Sequence, residues 1–228
     1  MQAYHNEPAL KVSVVAQMRG HIARDELIHG KYWENGKGCA VGCVAHDSEY
    51  PHQTMSEFIG VPVQLAQLLD GLFEALPNGE AKALPMRFLE AIRPGADLSR
   101  IWPQFAHWLL ADPEVGILAL PDLVADVRAP TEIIARLKGA EGRRELSAEE
   151  RAEGDKAAWA AGAARAARAA WAARDARAAG AARAARDAWA ARAARAAWDA
   201  WDAWAAGAAG AALAKKQADK LIELLAAA

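Results

Sequence analysis

"VPVQLAQLLDGLFEAL", residues 61–76, is the most legible stretch of the chain. Pro62 stands near a first helical position, where a missing N–H removes no intrahelical bond. Leu65, Leu68, Leu69, Leu72 and Phe73 follow at steps of three and four, which gathers them on one side of an α-helix. A stripe of that width has to be buried against other elements, and the neighbouring sequence supplies helices for it.

On its N-terminal side, "HNEPALKVSVVAQMRGHIARDELIHG" (5–30) places Leu10, Val14, Met18 and Ile22 at helical spacing between Pro8 and Gly30. "KYWENGKGCAVGCVAH" (31–46) opens with a turn at Asn35-Gly36 and Gly38, and its small apolar run predicts a short helix. Gly38 and Gly42 would let another backbone come close. On the C-terminal side, "EAKALPMRFLEAI" (80–92) and "LSRIWPQFAHWLLAD" (98–112) read as helices begun or broken by proline. "PDLVADVRAPTEIIARLKG" (121–139) reads as a pair of short helices around Pro130. Strand alternation is almost absent, so the expected fold class is all-helical, with an all-α body over residues 1–140. Residues 141–156 are charged and read as a linker, in which Ser147 and Glu150 have the spacing of a capping box.

The chain has 228 residues, enough for one or two domains with a sizeable core, and a net charge of −2. No run of strongly apolar residues is long enough to cross a bilayer, and the first residues lack the basic and apolar regions of a leader. Cys39 and Cys43 are too few for a disulfide framework. The chain is therefore expected in the cytoplasm, without a membrane partner.

Four residues could serve a metal. Cys39 and Cys43 would share a helix face, and His46 and His52 could complete a Cys₂His₂ set for zinc. That spacing is compressed relative to ordinary structural sites, and small buried packing cysteines are the simpler reading, so no metal or other cofactor is assigned. Cys39 also follows Gly-Lys-Gly at a possible helix N-terminus, where the dipole and Lys37 would activate a thiol, with His21, His29 or His46 as base. His21, Asp25 and His29 would share one helix face, and Glu74, Glu80 and Lys82 surround an Asn78-Gly79 turn; a solvated face and a turn explain these equally well. No phosphate loop, dinucleotide fingerprint, nucleophile elbow or metalloprotease motif occurs. No catalytic residue is assigned, and the balance leans away from an enzyme.

The stretches "YHNEPALK", "YWENGKGCAVGC", "LPNGEAK" and "AIRPGADLSRIWPQFAHWLL" resemble a family of uncharacterised bacterial and phage proteins that carry alanine-rich tails. The resemblance covers the body and the style of the tail. It implies no activity, cofactor or catalytic residue.

The tail, residues 157–213, is nineteen triads whose first two positions are almost always alanine. Its eight arginines against four aspartates make it mildly basic. On an α-helix each third residue steps 60° backwards, which scatters the large side chains around the cylinder; on a 3₁₀-helix they stack in one column. Period three therefore predicts packed antiparallel 3₁₀ segments with alanine faces, the alternative being a long α-helix or α-hairpin. The column would carry Trp159, Trp171, Trp189, Trp198, Trp201 and Trp204. Interleaved with them would be Arg165, Arg168, Arg183, Arg186, Arg192 and Arg195. Residues 214–228 read as an amphipathic α-helix with Leu221, Leu224 and Leu225 on one side.

The expected function is a structural or interaction protein presenting a Trp/Arg surface to a partner protein or a second copy. Nucleic-acid binding through the same face, and a Cys/His-dependent enzyme or metal site in the body, are the alternatives.

Overall fold

A computed structural model of the chain describes residues 2–121, 123–176 and 208–228. The chain forms two compact units, Met1–Phe105 with Ala205–Ala228, and Ala106–Trp204.

The first unit begins with a left-handed turn at Tyr4, His5 and Asn6 (φ 50°, 51° and 60°). The buried Tyr4 hydroxyl fixes it by donating to the Leu89 carbonyl at 2.8 Å. Helix α1 (Pro8–Ala23) follows with Val14 and Met18 in the core. It stops well short of Gly30, because Asp25 adopts a left-handed conformation (φ 55°) that no α-helix continues through. After it come strands β1 (Trp33–Glu34) and β2 (Lys37–Gly38), then helices α2 (Gly42–Ala45), α3 (Pro51–Ile59), α4 (Val63–Ala75) and α5 (Asn78–Ala91).

Helix α4 is the expected buried helix, with Leu65, Leu68, Leu69, Leu72 and Phe73 all inside. Pro62 precedes it by one position, and its carbonyl accepts the Leu65 N–H at 2.9 Å. Burying each of these side chains contributes about 1.5–3 kcal/mol, which makes α4 the axis on which α3 and α5 pack. Helix α5 runs through Pro85 without a break.

Helix α6 (Ile101–Ala111) leads out of this unit, and the C-terminal helix, which we number α9 (Ala208–Ala227), returns to it. Helix α9 packs on α5 and α4 through Leu221 and Leu225, while Leu224 is half-buried. Arg87 with Asp219 (2.6 Å) and Lys215 with Glu80 (3.2 Å) flank the contact.

In the second unit, residues expected to form two short helices form one, α7 (Ala125–Glu141), with Pro130 inside it. A connection of six residues leads to α8 (Ala148–Ala176), which packs back on α7; Arg136 meets Glu153 at 2.6 Å. The capping box closes here. The Ser147 N–H donates to Glu150 Oε2 at 2.9 Å, and the Glu150 N–H donates to Ser147 Oγ at 3.1 Å.

Over residues 157–176 the 3₁₀ expectation gives way to its alternative, a long α-helix. Residues 157–176 continue α8 as an α-helix, because alanine's helix propensity and the stronger i→i−4 bond prevail over the order of the large side chains. The 3₁₀ expectation for residues 177–207 lies outside the described residues. No helix among the described residues is long and apolar enough to cross a membrane.

Candidate metal centre

The site lies in the first unit, where the β1–β2 hairpin meets α4. Asn35 and Gly36 both have positive φ (52° and 80°), as a two-residue hairpin turn with right-handed strand twist requires. Glu26 and Ile28 extend the ladder, since the Gly38 N–H donates to the Glu26 carbonyl (3.0 Å) and the Ile28 N–H to the Gly38 carbonyl (2.9 Å). The Tyr32 backbone then passes over Gly38 and Gly42. A Cβ at Gly42 would lie 1.5 Å from the Tyr32 carbonyl oxygen, and one at Gly38 1.9 Å from it, so glycine is obligatory at both.

This close approach tucks Cys39 underneath, 1% exposed. Its N–H donates to the Lys31 carbonyl (2.7 Å), and its Sγ accepts the Gly42 N–H (3.4 Å). On α4, Asp70 and Glu74 stand one turn apart and therefore on one face. Cys39 Sγ, an Asp70 carboxylate oxygen and a Glu74 carboxylate oxygen all lie within 4.8 Å of one another.

Each carboxylate is held from behind. Asp70 Oδ2 is 3.0 Å from His52 Nε2, whose ring meets Tyr32 edge-on at 5.4 Å. The Gly30 N–H donates to both Glu74 oxygens at 3.0 Å, and His29 Nδ1 lies 3.9 Å from Oε2. Asp70 Oδ1 is buried and lacks a hydrogen-bond partner among the described residues.

The electrostatics are unbalanced. Burial, and then the Asp70 carboxylate, push the Cys39 thiol well above its ordinary pKa. Burial also raises the Glu74 carboxyl, against the Gly30 N–H that lowers it. Among the described residues no lysine or arginine pairs with Asp70 or Glu74. The Asp70 charge disfavours ionisation of both the Cys39 thiol and the Glu74 carboxyl, and a bound cation would reverse that.

A second polar cluster lies at the end of α1. His21, 4% exposed, has Nδ1 at 2.7 Å from Glu26 Oε2 and Nε2 at 2.9 Å from His46 Nε2. Arg24 grips both Glu26 oxygens at 2.8 Å, and the Arg24 and His21 hydrogen bonds hold the Glu26 carboxyl down at about 2. The His46 ring stacks on Trp33 (centroids 4.2 Å apart, planes at 17°).

The structure thus distributes Cys39, Cys43, His46 and His52 among separate surroundings rather than one ligand set. Cys39 and His52 both meet Asp70, whereas His46 joins His21. The Cys43 thiol, pushed up to about 12 by burial, points toward the Gly38 carbonyl at 3.5 Å. The activated-nucleophile reading of Cys39 is corrected likewise, since burial and a neighbouring carboxylate suppress the thiolate that Lys37 and a helix dipole were expected to favour. His21, Asp25 and His29 share no helix face, because α1 ends at Ala23. Glu80 and Lys82 are turned away from Glu74, toward Lys215 and Asp25.

Asp70 was missed by the sequence reading. Its signal is an acidic residue inside the apolar run of α4, one turn before Glu74. Of the tail residues, Trp159 is on α8 and 64% exposed. The side chains of Arg165, Arg168 and Trp171 lie outside the described set. Arg183, Arg186, Trp189, Arg192, Arg195, Trp198, Trp201 and Trp204 lie outside the described residues altogether.

No family model matches this chain, and neither a curated protein nor a solved structure matches it.

Proposed function

We propose that the first unit binds one divalent transition-metal cation, zinc by the chemistry of its donors, through Cys39 Sγ, Asp70 and Glu74. The observation that carries this reading is the convergence of the three donor groups within 4.8 Å, beside a buried Asp70 oxygen that has no hydrogen-bond partner among the described residues. A thiolate with oxygen donors suits zinc better than magnesium or calcium, which take oxygen alone. The Gly42 N–H on the sulfur and the His52 contact to Asp70 are the outer hydrogen bonds that orient ligands. Three protein donors leave a fourth position for water, and a zinc-bound water with a pKa near 7 makes metal-assisted hydrolysis the reaction class open to the site.

Chelator-stripped protein titrated with zinc against a chromophoric competitor tests this. One equivalent should bind, with release of the Cys39 proton, so that affinity rises with pH. Cys39→Ala and Asp70→Asn should each lose that equivalent while keeping the helical circular dichroism. Undiminished binding in both folded variants would refute the assignment.

The exposed Trp159 favours a second reading, in which α8 and the triads beyond it present tryptophan and arginine to a partner protein or a second copy. Sedimentation of the full chain should then show concentration-dependent association that Trp159→Ala weakens. Retention on nucleic acid that falls steeply with salt would favour the nucleic-acid alternative instead.

A further inference from the structure

The His21–His46 contact lies apart from the proposed metal centre and has a chemistry of its own. Two imidazole nitrogens 2.9 Å apart are at hydrogen-bond distance, and such a contact needs one proton between them. Glu26, ionised and clamped by Arg24, can only accept, so it holds a proton on His21 Nδ1 and leaves Nε2 to face His46. Three protonation states of the pair follow. With both rings neutral, His46 donates to His21; with one ring charged, the same bond persists with the proton shared; with both charged, two N–H groups meet head-on and the bond is lost.

We propose that this Nε2–H···Nε2 bond is a proton-operated latch, closed while the pair carries at most one positive charge and opened by the second. What it fastens is defined by the residues involved. His21 lies in the last turn of α1, His46 caps α2 in a left-handed conformation (φ 52°), and Trp33, stacked on His46, belongs to β1. Gln17 on α1 reinforces the closed form, because its amide donates to the Cys43 carbonyl at 2.8 Å and the Val44 carbonyl at 3.2 Å. Arg24, Glu26 and the un-ionised Cys43 are the other titratable groups around the pair.

His21 is buried and held by Glu26, so His46, exposed at the edge, is the ring that moves. When it swings away it leaves the Trp33 face. Burial, and then the neighbouring His21, hold the His46 pKa below its ordinary 6.5, with Glu26 opposing. The latch therefore stays closed through neutral pH and opens on acidification.

Histidine-selective ¹⁵N labelling of the full chain, followed by NMR across a pH titration, tests the latch. A through-hydrogen-bond coupling between His21 Nε2 and His46 Nε2 is expected at neutral pH. It should be lost on acidification together with a shift of the Trp33 indole resonance. In His46→Gln, whose amide can still donate to His21 but cannot take a proton, the Trp33 resonance should lose its pH dependence. Two rings that titrate independently, or a Trp33 shift that survives in His46→Gln, would overturn the proposal.

Discussion

The two polar clusters of the first unit sit at the base of the same hairpin and differ in how their charge is balanced. At the end of α1, Glu26 has its counter-charge built in, since Arg24 pairs with both of its oxygens and His21 takes one of them as well. At the hairpin–α4 contact, Asp70 and Glu74 face a buried thiol and, among the described residues, receive only imidazoles and a backbone N–H. The first carboxyl is held down at about 2, and Glu74 is raised. Carboxylates in one small unit thus titrate in opposite directions, and the difference separates a cluster complete in itself from one that calls for a cation.

The largest effect should come from breaking both clusters at once. Gly42→Ala drives a Cβ into the Tyr32 carbonyl, and with backbone on both sides the loss of stability should be on the order of 4 kcal/mol, read by chemical denaturation. Next is the asymmetry itself. Zinc at a hundredfold excess over its dissociation constant should raise the stability of the wild-type chain by about 2.7 kcal/mol, and that gain should vanish in Cys39→Ala but persist in His46→Gln. A gain of the same size in both variants would erase the distinction between the clusters.

Much of the framework around these sites was legible in the sequence for physical reasons. The stripe of α4 could serve only a buried helix, and Asn35-Gly36 supplied the two positive φ values of a tight hairpin turn. Gly38 and Gly42 marked a close approach, although only the fold shows that Tyr32 makes it. Asp70 was hidden because its neighbours define a core face and its partners come from distant segments. The stop of α1 was hidden too, since the turn is made by Asp25 in a left-handed conformation, with neither glycine nor proline to announce it. In residues 157–176 the triad spacing pointed to 3₁₀ geometry, and the backbone preference of alanine gave α-helix instead.

Two smaller effects sharpen the comparison. Ser147→Ala removes one half of the capping box in the second unit and should lower stability by about 1 kcal/mol, with zinc binding and the histidine NMR signals unchanged. Arg24→Ala should act most at neutral pH and least in acid. Because the folded-state pKa of Glu26 is depressed, its contribution is present above about 4.5 and is lost as pH falls toward 2. Removing Arg24 moves the folded-state pKa back toward 4.5, so the variant should lose stability above that pH and converge on the wild type as pH falls toward 2. A uniform loss at all pH values would mean that Arg24 acts by packing alone.

The central claim is that Cys39 is a metal ligand together with Asp70 and Glu74, and cobalt(II) reports it most directly, because a thiolate bound to cobalt has a ligand-to-metal charge-transfer band in the ultraviolet. Titrating chelator-stripped full-length protein with cobalt should produce that band, saturating at one equivalent and bleached by one equivalent of zinc. A titration without the band, or the same band in folded Cys39→Ala, would contradict the account.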